Sequence, residues 1–258
     1  MLVSEVKNLP AISHGWLLLN SVIKLFVRIY NQTGLALFYT LMLIGQHEKV
    51  QERLHREIDH WYDSRSSSCI SSDGTSNESG DSVEGDLISS KSYLDAVIRE
   101  SLRLFPPVPR IARTVSQEVR IRGSVSSCEY VIPEGTTVTI DVFQIQRDPS
   151  AFPNPDSFDP ERHLSSTPGI HPSKALMPFS LGPRSCIGSK FALMELKIFL
   201  IKVLRKFRIE CETAAHELDL AVEIVLKPAK AGVEIRFIER SEAGTRESER
   251  RQGAEGSA

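Results

Sequence analysis

The feature that most constrains this chain is a decapeptide near its C-terminal end, Phe179-Ser180-Leu181-Gly182-Pro183-Arg184-Ser185-Cys186-Ile187-Gly188. One of its glycines can turn the chain with a positive φ, and the other lets the backbone approach a flat ligand closely. Apolar residues at helical spacing follow and predict a helix from about Ile187 to Arg205. Backbone N–H groups and the positive end of that helix would stabilise a thiolate. We therefore interpret Cys186 as a metal-binding thiolate, although a cysteine near a helix start is more often a small buried apolar residue.

A second motif, Glu100-Ser101-Leu102-Arg103, lies in a stretch that predicts a helix over Tyr93 to Leu104. Glu100 and Arg103 are three positions apart, so they share a helix face and can form an ion pair. An exposed pair of this kind contributes under about 1 kcal/mol, but apolar neighbours here predict a half-buried carboxylate. Such a carboxylate requires a further cation. The candidate is Arg162, in the segment Phe158-Asp159-Pro160-Glu161-Arg162-His163.

Together these motifs resemble those of the cytochrome P450 family. The decapeptide matches the family's haem-binding signature at every fixed position, namely Phe179, Gly182, Arg184, Cys186 and Gly188. The Glu-x-x-Arg motif and the segment that contains Arg162 follow the family's order and spacing. The resemblance covers roughly 34–237, and it is specific for the family rather than for any substrate.

The resemblance implies a mostly α fold with small β-sheets (α+β), of which this chain would form the proximal, haem-side half. It implies haem b (iron protoporphyrin IX) as the cofactor, with the metal bound by Cys186. The residues implied to bind the cofactor are Cys186, Arg184, Arg110, Phe179, Gly182 and Gly188. A structural role is implied for Glu100, Arg103 and Arg162. Thr33 stands where the family often has a second threonine near bound dioxygen, so it is a candidate catalytic residue.

The implied activity is that of a monooxygenase, which inserts one oxygen atom of O2 into a small lipophilic substrate. Segments 140–162 and 177–199 look closest to animal members that oxidise fatty acids. The implied partners are an NADPH-dependent reductase and, because relatives are tethered to the cytosolic face of the endoplasmic reticulum, a membrane. Basic residues of the last predicted helix form either a surface for the reductase or a solvated helix face: Lys190, Lys197, Arg205 and Lys206.

The N-terminal part of the chain departs from the family. Where the family carries an acid followed by an alcohol, this chain has Asn31-Gln32-Thr33, and the similarity ends near Gln32. We expect residues 1–33 to be an atypical apolar segment of a truncated or splice-variant chain that lacks the family's membrane anchor and the helices above the substrate. Three hypotheses remain: a haem-dependent monooxygenase, a non-catalytic interaction protein that keeps the fold core, and an unfolded product.

Composition divides the rest of the chain. The P450-like region is 34–238, the Ser-rich tract 63–90 within it is predicted to be a flexible loop, and 239–258 is predicted to be a disordered polar tail. The uncharged stretch 29–46 predicts either a buried core helix or a membrane-spanning helix. Short strands are predicted at Val119–Arg122, at Thr137–Ile140 and in a terminal hairpin within 222–238.

Charge and cysteine usage exclude other classes of protein. The formal net charge is −2 and no basic block stands clear of acidic residues, which excludes a nucleic-acid-binding protein. The 4 cysteines are widely separated, which indicates reduced thiols rather than a disulfide framework. The 7 histidines show no clustered ligand spacing, and His163 and His171 are predicted to be loop residues.

Overall fold

The computed structural model describes residues 31–68, 92–122, 129–164, 175–213, 215–222, 224–229 and 233–240, and in the first range it describes side chains as far as residue 63. The predicted N-terminal segment, Ser-rich loop and polar tail therefore lie almost entirely outside the described residues, as does His171. The described residues form helices and small antiparallel sheets. This confirms the predicted mixed class.

The core is built mainly from four helices, one of which is formed by residues 31–46 and is called α1. The other three are α2 (Glu48–Ser68), α3 (Tyr93–Leu104) and α5 (Ser189–Lys206), and a short helix α4 (Val142–Ile145) precedes Gln146. Tyr39, Met42 and Ile44 of α1 are completely buried, as expected for a helix that is apolar on all sides. Within the described ranges, no helix has both the length and the apolar character needed to cross a membrane.

Helix α3 begins at the predicted residue because its first turn is capped twice. The Ser92 side chain accepts from the Asp95 N–H, and Asp95 in turn accepts from the Ser92 N–H, which forms a capping box. Glu57 of α2 accepts from the free N–H groups of Tyr93 and Leu94 at 2.8 and 3.1 Å. A carboxylate at a helix N-terminus is favourable, so α2 fixes where α3 starts.

Eight short strands in the described residues pair into four two-stranded antiparallel sheets. The strands are β1 (Arg110–Thr114), β2 (Val119–Arg122), β3 (Glu129–Ile132), β4 (Thr137–Asp141), β5 (Phe207–Glu210), β6 (Leu220–Val222), β7 (Leu226–Pro228) and β8 (Arg236–Glu239). The pairs are β1 with β4, β2 with β3, β5 with β8 and β6 with β7. The predicted strands at 119–122 and 137–140 are confirmed.

The predicted terminal hairpin is wrong. The two strands expected to pair with each other take different partners. Strand β7 pairs with β6, and β8 pairs with β5, the strand that directly follows α5. The rings of Phe207 in β5 and Phe237 in β8 meet edge to face at 6.1 Å. Because this aromatic contact joins strands far apart in sequence, local alternation did not reveal it.

The motif around Glu100 forms a buried network in the centre of the fold. Glu100 and Arg103 are both 0% exposed, and Arg103 Nε and Nη2 each donate to the carboxylate at 2.8 Å. Arg162 Nε donates at 3.0 Å, as the sequence predicted, and the Asp159 N–H also donates at 3.0 Å. The remaining partner is His163 Nε2 at 2.7 Å.

His163 corrects the sequence analysis, which treated it as an ordinary loop residue. It ends a 3-10 turn (Pro160–His163), and its side chain is 2% exposed because its ring faces Glu100. Burial alone would raise the pKa of Glu100, but the hydrogen bonds from Arg103 and His163 lower it to about 2. The carboxylate is therefore ionised, so His163 donates from Nε2.

Removing this buried charge should strongly destabilise the fold. In Glu100→Gln, Arg103 and Arg162 lose their counter-charge while they remain buried, and we expect a loss of about 3–5 kcal/mol in the free energy of unfolding. Urea denaturation followed by circular dichroism measures this loss. The control is Glu118→Gln, which breaks the exposed Arg120 pair and should cost under about 1 kcal/mol. Equal losses in the two variants would contradict the assignment.

His55 is a second titrating group, and its pKa shift predicts how the free energy of unfolding depends on pH. Burial, and after it the charge of Arg240, lower the pKa of His55 to about 4, and within the described residues its Nε2 is buried without a hydrogen-bond partner. The unfolded chain therefore binds a proton at higher pH than the folded chain, and stability falls as pH falls from about 6.5 to 4. After a discount for solvent screening, we expect a loss of about 2 kcal/mol over this range.

His55→Phe should flatten the stability curve between pH 6.5 and 4. The contribution of Glu100 is lost only below its unfolded pKa of about 4.5, so the variant should keep the steep loss at lower pH. Thermal melts at half-unit pH steps separate these two ranges. An unchanged slope between pH 6.5 and 4 would show that His55 does not titrate differently in the folded chain.

Candidate functional site

The cysteine loop, residues 177–188, is held by its own backbone. Ser180 and Gly182 have positive φ values of 63° and 78°, so the chain reverses twice before the cysteine. The Cys186 N–H donates to the Phe179 carbonyl at 2.9 Å, which closes the loop. The predicted positive-φ turn at Gly182 is thus present, and α5 begins at Ser189, two residues after the predicted start.

Cys186 is exposed and opens into a cavity of about 250 Å³, which we call the thiol cavity. Its walls come from α1, α3, β1, the cysteine loop and α5, which are far apart in sequence. The lining residues are Gln32, Thr33, Ala36, Leu102, Pro107, Val108, Ile111, Arg113, Pro178, Phe179, Ser180, Arg184, Cys186, Gly188, Ala192 and Leu196. Most of this lining is apolar, and its polar groups lie near the sulfur and at the start of α1.

Two guanidinium groups give the thiol cavity a positive charge. Arg113 of β1 donates from Nη2 to the Arg184 carbonyl at 3.2 Å and to Ser180 Oγ at 3.4 Å, and its Nη1 donates to the Ala112 carbonyl at 2.8 Å. Arg113 is thereby fixed against the cysteine loop, beside Arg184. Planar guanidinium groups bind carboxylates well, so this edge of the cavity suits an anionic ligand.

Arg110 was predicted to bind the cofactor, but in the structure it lies outside the thiol cavity. Arg110 Nε donates to Asp141 of β4 at 2.9 Å, and Arg110 does not line the thiol cavity. Side chains alternate between the two faces of a strand. Arg110 and Arg113 are three positions apart on β1, so they point to opposite faces. That odd spacing was the signal that could have identified Arg113 as the cavity residue.

The other residues that the sequence predicted for the site divide between the cavity wall and the interior of the fold. Thr33 is 6% exposed and lines the cavity with Gln32, whereas Asn31, at the family's acid position, is exposed and does not. Phe179 and Gly188 line the cavity, and Gly182 forms its turn. Glu100, Arg103 and Arg162 are not among the lining residues and have the structural position that was predicted.

The predicted cationic face of α5 needs one correction. Lys197 is 5% exposed and forms an ion pair with Asp95 of α3 at 2.8 Å, so it joins helices inside the fold. Lys190, Arg205 and Lys206 are exposed. A wider groove of about 920 Å³ runs along this outer face, lined mainly by apolar residues such as Phe191 and Ile198. It does not include Cys186, so its size does not mark it as the reactive site.

The donor set in the thiol cavity fits a haem. In the described ranges, no group of three or more His, Cys, Asp or Glu side chains could hold a metal ion. A haem needs a single axial ligand such as Cys186 from the protein, because its macrocycle supplies the ring nitrogen ligands. A Cβ at Gly188 would lie 3.9 Å from the Cys186 sulfur, so the glycine keeps that side of the sulfur open. Apolar walls suit the ring, and Arg113 and Arg184 suit its carboxylates.

Comparison with known proteins agrees with this geometry. The profile of the family described as "Cytochrome P450" matches residues 18–235, so the similarity extends further toward the N-terminus than the predicted limit near Gln32. Cytochrome P450 4c3 of Drosophila melanogaster is 35% identical over 82% of this chain and 36% of its own length. Cytochrome P450 4V2 is 37% identical in Rattus norvegicus, over 77% of this chain, and in Homo sapiens, over 78%, with 34% of the relative covered in both.

The chain thus spans about a third of the length of these relatives. Members of the family bind haem b, and the family is one of haem-thiolate monooxygenases. The profile covers more than half of this chain, and the cysteine loop, the buried Glu100 network and the mixed helical fold agree with it. The chain belongs to the cytochrome P450 family.

Proposed function

We propose that this chain binds haem b through the Cys186 thiolate and provides the haem-side half of a monooxygenase. The observation that carries the proposal is the exposed sulfur of Cys186 in an apolar cavity beside two arginines, on a chain of this family. Haem bound through a thiolate supplies the activation of O2 that allows one oxygen atom to enter a C–H bond. The protein contributes binding, orientation and the exclusion of water.

Each residue of the thiol cavity has a task in this proposal. Cys186 provides the thiolate, and the closed loop from Phe179 fixes its direction. Arg113 and Arg184 would bind the haem carboxylates. Leu102, Val108 and Leu196 would supply apolar walls that exclude water and orient the ring.

Thr33, at the α1 wall of the thiol cavity, is proposed to transfer protons. Its hydroxyl can both accept and donate a hydrogen bond, so it can pass a proton toward O2. The neighbouring Gln32 also lines the cavity but cannot ionise. Proton transfer therefore depends on the Thr33 hydroxyl and on water.

The substrate and partners complete the proposal. The apolar walls of the cavity favour a lipophilic substrate, and we propose a fatty acid. Electrons would come from an NADPH-dependent reductase, and the second oxygen atom of O2 would leave as water. We place the protein at the cytosolic face of the endoplasmic reticulum membrane.

Cys186→Ala tests the metal ligand. The wild-type chain, reconstituted with haem and reduced under carbon monoxide, should show the absorption band of a thiolate-ligated ferrous carbonyl complex. We expect the variant to lose this band, because no other thiolate of the described residues lines the cavity. The control is Cys211→Ala, which alters a buried cysteine outside the cavity and should keep the band. A wild-type chain that takes up no haem would refute the proposal.

Arg113→Gln and Arg110→Gln test which arginine holds the haem. A charge-assisted hydrogen bond contributes about 1.5–3 kcal/mol, so Arg113→Gln should weaken haem binding by about tenfold or more. Arg110→Gln, on the same strand but paired with Asp141, should change it by less than about twofold. Haem titration followed by absorbance measures both. A larger loss in the Arg110 variant would restore the original assignment from sequence.

A second candidate is a non-catalytic interaction protein that keeps the fold core. The observation that favours it is the outer face of α5, where Phe191, Met194 and Phe199 are 59%, 38% and 42% exposed next to Lys190 and Lys206. A partly apolar, basic surface of this kind suits a protein partner. Binding of the reductase by the haem-free chain, without turnover in the haem-loaded chain, would favour this candidate over the first.

A further inference from the structure

Gln146, which follows α4, is completely buried and makes hydrogen bonds with every polar group it carries. Its side-chain Nε2 donates to the carbonyls of Leu102 and Arg103 at 3.0 and 2.9 Å. Its side-chain Oε1 accepts from the Met177 N–H at 2.8 Å. Its own carbonyl accepts from Arg103 Nη1 at 2.9 Å, and its N–H donates to the Val142 carbonyl at 3.0 Å.

Only one orientation of this amide satisfies its surroundings. Two carbonyl oxygens face the nitrogen and one N–H faces the oxygen, so a flipped amide would place oxygen against oxygen and nitrogen against N–H. The carbonyls of Leu102 and Arg103 belong to the last turn of α3, where no helical N–H remains to pair with them. Gln146 therefore caps the C-terminus of α3 with one end of its amide.

The other end of the amide holds the start of the cysteine loop. Met177 is the first residue of that loop, and its carbonyl accepts from the Ser180 N–H at 3.0 Å. The next bond along the loop joins Phe179 to Cys186. One side chain thus links the buried Glu100–Arg103 network, through α3, to the loop that presents the sulfur.

We infer that Gln146 is a positioning residue for Cys186, and that it transmits the rigidity of the Glu100 network to the thiol. The role of Gln146 in metal binding rests on the proposed function, because a thiol must keep a fixed position to bind a metal in one orientation. The coupling of α3 to the cysteine loop through Gln146 does not depend on any cofactor. The coupling and the effect on metal binding can therefore be tested separately.

The chain contains a matched control for this glutamine. Gln51 of α2 is 4% exposed, and it also uses both ends of its amide on backbone. Nε2 donates to the Ile209 carbonyl at 2.8 Å, and Oε1 accepts from the Ile209 N–H at 2.6 Å. It joins α2 to β5, and both of these side-chain bonds go to Ile209 rather than to the cysteine loop. Losing either glutamine removes a comparable buried bridge, but only Gln146 reaches the loop.

The experiment compares Gln146→Met with Gln51→Met in the haem-free chain. Hydrogen exchange by mass spectrometry is measured at urea concentrations at which both variants are equally far from global unfolding. We expect Gln146→Met to raise exchange in the peptide 175–188 by about tenfold, the change for one lost hydrogen bond to a buried group. Gln51→Met should leave this peptide unchanged and raise exchange in β5 instead.

Met177→Pro tests the same bond from its other side. Proline has no N–H, so this variant removes the donor to Gln146 without changing the cap of α3. It should raise exchange in the cysteine loop as Gln146→Met does, and the double variant should show no further increase in that peptide. Additive effects, or an unchanged loop in either single variant, would overturn the inference.

Haem titration and the alkylation rate of Cys186 are two further measurements. At matched stability, neither should change through a general loss of stability. At matched stability, Gln146→Met should weaken haem binding by about tenfold and raise the alkylation rate of the sulfur, whereas Gln51→Met should change neither. Equal changes in the two variants would overturn the inference. If the wild-type chain took up no haem, the proposed function would fail, but the exchange and alkylation results would still decide the role of Gln146.

Discussion

The ionised carboxylate of Glu100 is the constraint on which the rest of this structure depends. A buried charge is stable only when donors surround it, and five N–H groups donate to Glu100 from two separate parts of the chain, α3 and residues 159–163. Arg103 also donates to the carbonyls of Gln146, Pro155 and Ser157. One ion pair thereby organises 146–163, a segment with little regular secondary structure.

This organisation explains how an exposed cysteine can be well placed. Residues 181–187 of the loop that carries Cys186 are exposed, with Phe179 packed against the apolar core, and the positive φ values of the loop give it shape rather than position. Position comes from the buried side of the fold, where α3 and Gln146 hold the loop's first residue. Cys186 is therefore exposed to the thiol cavity while the first residue of its loop is hydrogen-bonded to a buried side chain, an arrangement that suits the binding of a large, flat cofactor.

Predictions from the sequence were right where they depended on neighbouring residues. The bounds of α3 were predicted because apolar spacing and its adjoining turn residues agree, and the structure adds the capping box and Glu57. The motif around Cys186 predicted its turn and the following helix within two residues. Arg110, Lys197 and His163 were misplaced because each prediction required knowledge of which face of an element turns inward. Gln146 was missed altogether, since nothing in its neighbours marks it as buried.

The sequence by itself determined the family, the ion pair at Glu100 and most of the described helices and strands, because these depend on residue type and short spacing. Tertiary structure alone decided that Arg113 rather than Arg110 lines the thiol cavity with Cys186, that β8 pairs with β5, and that Lys197 lies between helices. The reason is physical. Burial, strand pairing and the direction of a side chain arise from contacts between segments distant in sequence, and local patterns do not encode those contacts.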